Sequence, residues 1–350
     1  MSINVLFTCA GRRNYLAGYF RAAREGVRIV GADMVPHAPA LQECDVGWLV
    51  PSVFAPDYVE AIARVCEAES IDVLISLNDH ELPVLSRGRE RIERTGARLL
   101  ISAPEVIDLC FDKLRTAEWL AGLGIGTPRT FTDLAEVHAA LDADTLSLPL
   151  VVKPRWGSAS TATFSVHSRA ELDHAYALVT ADVLRGSAAA HSGAEVAEDQ
   201  RVIVQQRLGG TEYGVDVLND LHGAPCSVYV KEKIAMRSGE TDRACLRDEP
   251  RLLACAQRIG AALGHIGNLD GDFFLDGDAV AVLELNPRFG GGYPFSHTAG
   301  ADYPAAILAW LDGEPFDTAG FARRYDAVFA KADGLVATSG VPLRRLDEHG

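Results

Sequence analysis

Short apolar runs alternate with helical stretches over the first hundred residues, and this alternation restricts the fold more than any other feature. The predicted order is strand 4–8, helix 14–24, strand 27–32, helix 57–68, strand 73–76 and strand 98–102. Continuous apolar strands between helices are typical of a parallel sheet that helices cover on both faces. We therefore predict an α/β fold that begins with a doubly wound parallel-sheet domain over residues 1–107.

The remaining chain changes from helical to strand-rich. Residues 108–205 are predicted to form a central subdomain of helix followed by mixed strand and helix, and residues 206–350 a strand-rich C-terminal subdomain. The sequence Asp276-Gly277-Asp278 between two strands is a strong signal for a hairpin turn. The last twenty or so residues lack periodicity, so we expect a loosely attached tail.

Charge and cysteine content exclude several functional classes. The chain has 350 residues, a formal net charge of −15 and seven cysteines without a C-x-x-C pair. The negative charge argues against a nucleic-acid partner, and the cysteine spacing argues against a zinc site or a disulfide framework. No apolar run approaches the roughly 18 residues that cross a bilayer, so we expect a cytoplasmic protein without a membrane partner.

The run A-V-A-V-L-E-L-N-P-R at residues 279–288 places two oxygen donors on one face of a strand. Glu284 and Asn286 share that face because side chains alternate with period two, and Asp272 on the preceding hairpin strand could add a third oxygen. Magnesium prefers such ligands and commonly bridges them to phosphates, which Arg288 would also face. A solvated strand end would carry similar residues, so the run does not decide alone.

Two lysines could contact phosphate. Lys153 ends a short apolar strand and precedes the small-residue segment 157–161, where backbone N–H groups can approach an anion. Lys113 follows Asp112 at the start of a helical stretch. The pattern is not that of a P-loop, and either lysine alone could be a surface charge.

Residues 203–216 are predicted to form a strand, a glycine break and a second strand. The edge at Gln205 could offer donors and acceptors to an adenine ring, and Glu212 could bind ribose hydroxyls. A plain β-hairpin would have the same pattern.

Taken in order, D-K, V-V-K-P, V-Q-Q-R-L-G-G-T-E-Y-G-V-D-V and L-E-L-N-P-R resemble the ATP-grasp superfamily, specifically its carbamoyl-phosphate-synthetase-like branch. The resemblance spans about residues 1–315, since A-G-R-R and N-D-H-E-L resemble the Rossmann-like domain that precedes the ATP-grasp fold in that branch. It implies ATP and one or two Mg²⁺ ions, with Mn²⁺ as a substitute. It also favours a homodimer.

The resemblance assigns roles residue by residue. Nucleotide contacts are implied for Lys113, Lys153, Gly157, Ser158, Ser160, Thr161, Gln205, Gln206, Arg207, Leu208, Glu212 and Lys231. Metal ligation is implied for Asp272, Glu284 and Asn286, and neutralisation of phosphoryl charge for Lys153, Lys233, Arg237 and Arg288. Two departures are evident: segment 157–161 has a single glycine, and Gln205 stands where glutamate is common.

The implied reaction is phosphorylation of a carboxylate to an acyl phosphate, followed by capture by an amine of an amino acid or small peptide. Two alternatives stay open: carboxylation through carboxyphosphate, which would need bicarbonate, and a nucleotide-binding sensor or subunit without catalysis. Candidate substrate contacts stand at the strand ends of the first domain and in the glycine-rich segment after Arg288, namely Arg12, Arg13, Asp33, Asp79, Glu81, Gly291 and Gly292. Each could equally be a surface, capping or turn residue.

Overall fold

Three sheets organise the protein. The computed structural model describes residues 2–157, 161–185, 196–237, 239–338 and 342–346. One sheet is parallel and two are antiparallel. Among the described residues, every helix is too short or too polar to cross a bilayer.

The first sheet has the strand order β16-β3-β2-β1-β4-β5, and every neighbouring pair is parallel. Its strands are β1 (Ile3–Thr8), β2 (Val27–Asp33), β3 (Val46–Leu49), β4 (Val73–Ser76), β5 (Arg98–Leu99) and β16 (Leu343–Arg345). The helices of this part are α1 (Tyr15–Ala23), α2 (Tyr58–Glu69), α3 (Leu82–Arg87) and α4 (Arg89–Glu93). The predicted α/β fold with a parallel N-terminal sheet is confirmed.

Both faces of this sheet are buried. Val5 and Phe7 belong to the core on the side of α1, whereas Leu6 between them belongs to the core on the side of α2. Successive side chains of a strand point to opposite faces, so both must be apolar when helices cover both faces. This is why the strands are continuous apolar runs.

Two features of this sheet differ from expectation. Strand β3 was not predicted, because Gly47 interrupts a run of only four residues. The prediction of a loosely attached tail is wrong for residues 343–345, which pair in parallel with β3. A Cβ atom on Gly47 would lie 2.6 Å from Leu343 Cδ2, so the tail packs where the glycine has no side chain. A three-residue strand is too short to show periodicity.

The central part carries a four-stranded antiparallel sheet of order β6-β9-β7-β8. Its strands are β6 (Thr130–Phe131), β7 (Leu150–Pro154), β8 (Phe164–Val166) and β9 (Val202–Gln206). The helices are α5 (Pro104–Phe111), α6 (Lys113–Gly122), α7 (Leu134–Asp142) and α8 (Arg169–Arg185). A separate apolar core fills the space between this sheet and α7 and α8.

The C-terminal sheet is antiparallel, with the order β14-β13-β10-β11-β12-β15. Its strands are β10 (Thr211–Asn219), β11 (Pro225–Arg237), β12 (Glu240–Leu246), β13 (Gly267–Asp276), β14 (Ala279–Asn286) and β15 (Val328–Ala330). The helices are α9 (Pro250–Leu263), α10 (Tyr293–Thr298) and α11 (Tyr303–Leu311), and short 3-10 turns occupy Pro39–Glu43, Glu198–Gln200 and Thr318–Gly320. The predicted turn joins β13 to β14, with Gly277 at a φ of 56°.

Candidate active site

One face of the C-terminal sheet collects the acidic side chains. Asp272 on β13 lies opposite Glu284 on β14, and Asp270 lies opposite Asn286. Because side chains alternate, these four groups share a face. Asp270 was missed in the sequence, although its two-residue spacing from Asp272 within a strand is the signal that indicates it.

The environment of Asp272 carries an excess of negative charge. The pKa of Asp272 is raised to about 6, chiefly by burial and also by the charges of Glu284 and Asp270, against the lowering effect of Lys233. Lys233 Nζ lies 2.6 Å from Asp272 Oδ1 and 2.6 Å from Glu212 Oε1. An additional cation at this face would offset the repulsion among the carboxylates.

The donor set fits a hard cation that keeps part of its coordination shell. Within the described ranges, no three carboxylate, histidine or cysteine side chains converge closely enough to hold a metal by themselves. Magnesium commonly takes one or two carboxylates and completes its shell with water and phosphate oxygens. Asp272 and Glu284, with the amide oxygen of Asn286, therefore suit a magnesium ion bound together with a nucleotide.

A cleft of about 510 Å³ opens between the central and C-terminal sheets. Most residues with an implied nucleotide role line it, namely Lys113, Lys153, Gly157, Thr161, Gln205, Gln206, Arg207, Leu208 and Glu212. Two of the metal-ligand candidates, Asp272 and Glu284, also line it. Gln205 Nε2 donates to Thr130 Oγ1 at 2.8 Å, while its Oε1 is buried without a hydrogen-bond partner. A buried acceptor of this kind matches the amino group of an adenine ring.

The two lysines line the cleft and are nearly inaccessible to solvent. Burial and the neighbouring charge of Lys113 together lower the pKa of Lys153 to about 8, against the opposing effect of Glu284 and Asp272. Burial also lowers the pKa of Lys113, whose ammonium donates to the Gly157 carbonyl. Two buried ammonium groups that repel each other are stabilised by an anion between them, as a phosphate would provide.

A buried ion pair fixes the position of these lysines. Asp112 caps the start of α6 by accepting from Leu114 N at 3.0 Å, and it also pairs with Arg155 at 2.8 Å. The pair holds the residues beside Lys113 and Lys153 together. Arg155 was not singled out in the sequence, although its position two residues after Lys153 could have suggested it.

A smaller pocket of about 120 Å³ adjoins the cleft on the side of the first domain. Both spaces are lined by Asp272 and Glu284, together with Met236 and Gly239, so the two carboxylates belong to the wall that the spaces share. The charged and glycine residues that line the small pocket include Arg13, Asp79, Lys231, Lys233, Glu240, Asp270, Arg288, Gly291 and Gly292, beside Asn286.

Arg288 connects the first domain to the C-terminal sheet. Its guanidinium lies 2.9 Å from Asp79 and 2.8 Å from Asp270, and all three side chains are largely buried. Burial alone would raise the pKa of Asp79, but the charge of Arg288 holds it below its ordinary value. A Cβ atom on Gly290 would lie 2.1 Å from Asp270 Oδ2, so the turn after Arg288 passes close to this pair because residue 290 is glycine.

Several other candidates lie elsewhere than expected. Lys231 is fully buried, pairs with Asp216 and lines the small pocket rather than the nucleotide cleft. Arg237 is exposed and pairs with Asp333 and Asp242 outside both spaces.

The first-domain candidates also divide. Glu81 is inaccessible and accepts hydrogen bonds from Thr8 and Ser76 at 2.8 and 2.5 Å, so it braces the ends of β1 and β4. Asp33 accepts from Gly11 N and Val35 N at 2.9 Å as a turn residue. Arg12 is exposed and lines neither space, and Ser158 and Ser160 lie outside the described residues.

Two family models match the chain, in agreement with this architecture. The model of the PylC-like N-terminal domain matches residues 5–100. The model of an ATP-grasp in the biosynthetic pathway with the Ter operon matches residues 198–330.

Curated relatives are large chains of carbamoyl phosphate synthase. The chain is 27% identical over 252 residues to the large chain from Campylobacter jejuni, and the aligned part covers 69% of this chain and 22% of the relative. It is 26% identical over 271 residues to that of Rubrobacter xylanophilus, covering 73% and 24%. The chain thus spans about a quarter of the length of these relatives.

Solved structures share the fold over nearly the whole chain. One is the biotin carboxylase domain of Hydrogenobacter thermophilus 2-oxoglutarate carboxylase, solved as a dimer in complex with MgADP, ADP and bicarbonate. It has a TM-score of 0.70 and 17% sequence identity, and the match covers 94% of this chain and 73% of that chain. The L-amino acid ligase from Bacillus licheniformis is similar with a TM-score of 0.63 and 22% identity, covering 91% and 76%. The matched models indicate a PylC-like N-terminal domain followed by an ATP-grasp domain, which confirms the resemblance that the ordered motifs predicted.

Proposed function

We propose that this protein is an ATP-dependent carboxylate–amine ligase, which phosphorylates a carboxylate and joins it to the amine of an amino acid or small peptide. The observation that carries the proposal is the common wall of the two spaces. Asp272 and Glu284 line both the larger cleft, which suits a nucleotide, and the small charged pocket beside it. A carboxylate in the small pocket would therefore approach the terminal phosphate of a nucleotide in the cleft.

In the nucleotide cleft, each side chain would have a binding or orienting role. Gln205 would accept a hydrogen bond from the adenine amino group through its unpaired Oε1. Glu212 would bind ribose hydroxyls, and Lys113 and Lys153 would neutralise phosphate oxygens. Asp272, Glu284 and Asn286 would hold magnesium, which when bound supplies charge neutralisation on the phosphates.

The reaction would proceed in two balanced steps. An oxygen of the substrate carboxylate attacks the γ-phosphorus, the bond from that phosphorus to the β–γ bridging oxygen breaks, and ADP leaves with an acyl phosphate formed. The amine nitrogen then attacks the acyl carbon, phosphate leaves with the C–O bonding pair, and the nitrogen loses a proton. Arg288, held by Asp79 and Asp270, would stabilise the negative charge of the transferred group throughout.

The test measures ADP and phosphate release from Mg-ATP with amino acids offered singly and in pairs, with and without bicarbonate. We expect release that requires a carboxylate and an amine together, with a new amide detected by mass spectrometry. Glu284→Gln should lower the rate by about a hundredfold because it removes a charged ligand at the common wall. Glu136→Gln, on the outer helix α7, is the matched control and should leave the rate unchanged.

Other outcomes would replace the proposal. Release that depends on bicarbonate would favour carboxylation through carboxyphosphate, and nucleotide binding without turnover would favour a sensor. Equal rates for Glu284→Gln and Glu136→Gln would contradict the role of the common wall.

A further inference from the structure

The cations that line the small pocket are matched by carboxylates, with one exception. Lys231 pairs with Asp216, and Lys233 lies 2.6 Å from both Glu212 and Asp272. Arg288 lies between Asp79 and Asp270. Among the residues that the structure describes, no carboxylate lies within 4.0 Å of the Arg13 guanidinium, although its charge contributes to lowering the pKa of Asp79 and of Glu240.

Arg13 also has unused hydrogen-bonding capacity. Its Nη1 donates to the Leu77 carbonyl at 2.5 Å, which fixes one side of the guanidinium. Its Nε is buried without a hydrogen-bond partner. Guanidinium groups bind carboxylates through paired N–H donors, and a buried donor left without a partner is costly. The side chain is therefore prepared for an anion in the pocket.

The position of Arg13 indicates which anion. The carboxylate that reacts with ATP must lie at the wall formed by Asp272 and Glu284, since that wall faces both spaces. Arg13 lines the small pocket but not the nucleotide cleft, and it belongs to the first domain. An anion bound by Arg13 therefore belongs to a substrate and not to the nucleotide.

We infer that Arg13 binds a carboxylate that the amine substrate keeps, so that this substrate is an amino acid with a free carboxylate. The inference rests on the proposed ligase function and specifies its acceptor. Ammonia carries no such group, and neither does an amino acid amide. A free amino acid, in contrast, supplies both a nucleophilic nitrogen and an anion for Arg13.

Binding and turnover are tested separately. The probes are the twenty common amino acids and their α-carboxamides, added to the full chain with Mg²⁺ and a non-hydrolysable ATP analogue, and binding is followed by calorimetry. We expect at least one amino acid to bind about tenfold or more tightly than its carboxamide. Arg13→Met should abolish this preference, and Arg13→Lys should restore part of it.

Arg21→Met is the matched control. Arg21 lies on α1, the helix that follows Arg13, and it also donates to a backbone carbonyl, that of Glu43 at 2.6 Å, but it lines neither space. The Arg21→Met variant should keep the preference for the amino acid over its carboxamide. Circular dichroism and the unfolding midpoint of each variant verify that Arg13→Met is folded, and Arg13→Lys provides the comparison if it is not.

The outcomes separate the two proposals. Acid-specific binding that needs Arg13, without ADP formation for any pair of substrates, would refute the ligase reaction and leave standing only the binding of a carboxylate by Arg13. ADP formation with carboxamides or ammonia at the same efficiency as with free amino acids would overturn the assignment and leave the ligase standing. Equal binding of acid and carboxamide, or no binding of any amino acid, would also overturn the assignment.

Discussion

The buried ion pair between Asp79 and Arg288 joins two parts of the chain that are 209 residues apart. The side chains are 10% and 7% exposed and lie 2.9 Å from each other. Removing one partner of a buried pair costs about 3–5 kcal/mol when the other is left unpaired. Asp270 stays 2.8 Å from Arg288, so we expect Asp79→Asn to lower the free energy of unfolding by about half that range, ~2 kcal/mol.

Urea unfolding at pH 7.5 measures this loss. The control is Asp142→Asn, which removes a carboxylate 2.6 Å from Arg169. The side chain of Arg169 is 44% exposed and that of Asp142 is 72% exposed. Exposed pairs contribute about 0.2–1 kcal/mol, so the control should lose no more than that. We also expect the rate of ADP formation to fall by about tenfold in Asp79→Asn only, because Arg288 is then held from one side.

The pH dependence supplies an independent check. Arg288 holds the pKa of Asp79 below its ordinary value of 3.8 in the folded protein. The stabilisation is therefore complete above the pKa of the unfolded chain and is lost as the pH falls through the folded value. The difference in unfolding free energy between wild type and Asp79→Asn should stay constant from pH 8 to about 5 and disappear below about pH 4. Equal losses of unfolding free energy in Asp79→Asn and Asp142→Asn would refute the reasoning. So would a loss in Asp79→Asn that stays the same below pH 4.

Two further predictions concern the nucleotide cleft. Gln205→Leu removes the unpaired acceptor and should weaken ATP binding by about tenfold with little change for GTP, as calorimetry can measure; equal weakening of both nucleotides would contradict the role in adenine recognition. Burial and Lys113 lower the pKa of Lys153 to about 8, and a bound phosphate favours its charged form. ADP affinity should therefore fall as the pH rises through about 8, and Lys153→Met should show weaker binding with a flatter profile.

Local patterns were sufficient to predict much of the fold. The continuous apolar strands predicted the parallel sheet, because both of its faces carry helices. The alternation in 279–288 predicted the shared face of Glu284 and Asn286, and the hairpin turn predicted the strand that brings Asp272 opposite Glu284. These features depend on contacts between residues close in sequence.

Long-range pairing was beyond the same reasoning. Nothing near Asp79 in the sequence indicates Arg288, because the pairing arises only when the two parts of the chain fold together. Lys231 and Lys233 share a face of β11, yet Lys231 pairs with Asp216 and Lys233 with Glu212 and Asp272. Their different environments follow from which carboxylates of β10 and β13 each ammonium group reaches.

The pairing of β16 with β3 has a consequence for how the protein is made. Until residues 343–345 have left the ribosome, β3 is an edge strand with unpaired backbone groups. Exposed edges of this kind invite pairing with other chains. The N-terminal sheet is thus synthesised first but acquires its outermost strand last, so a stalled or truncated nascent chain would carry an open edge that favours aggregation.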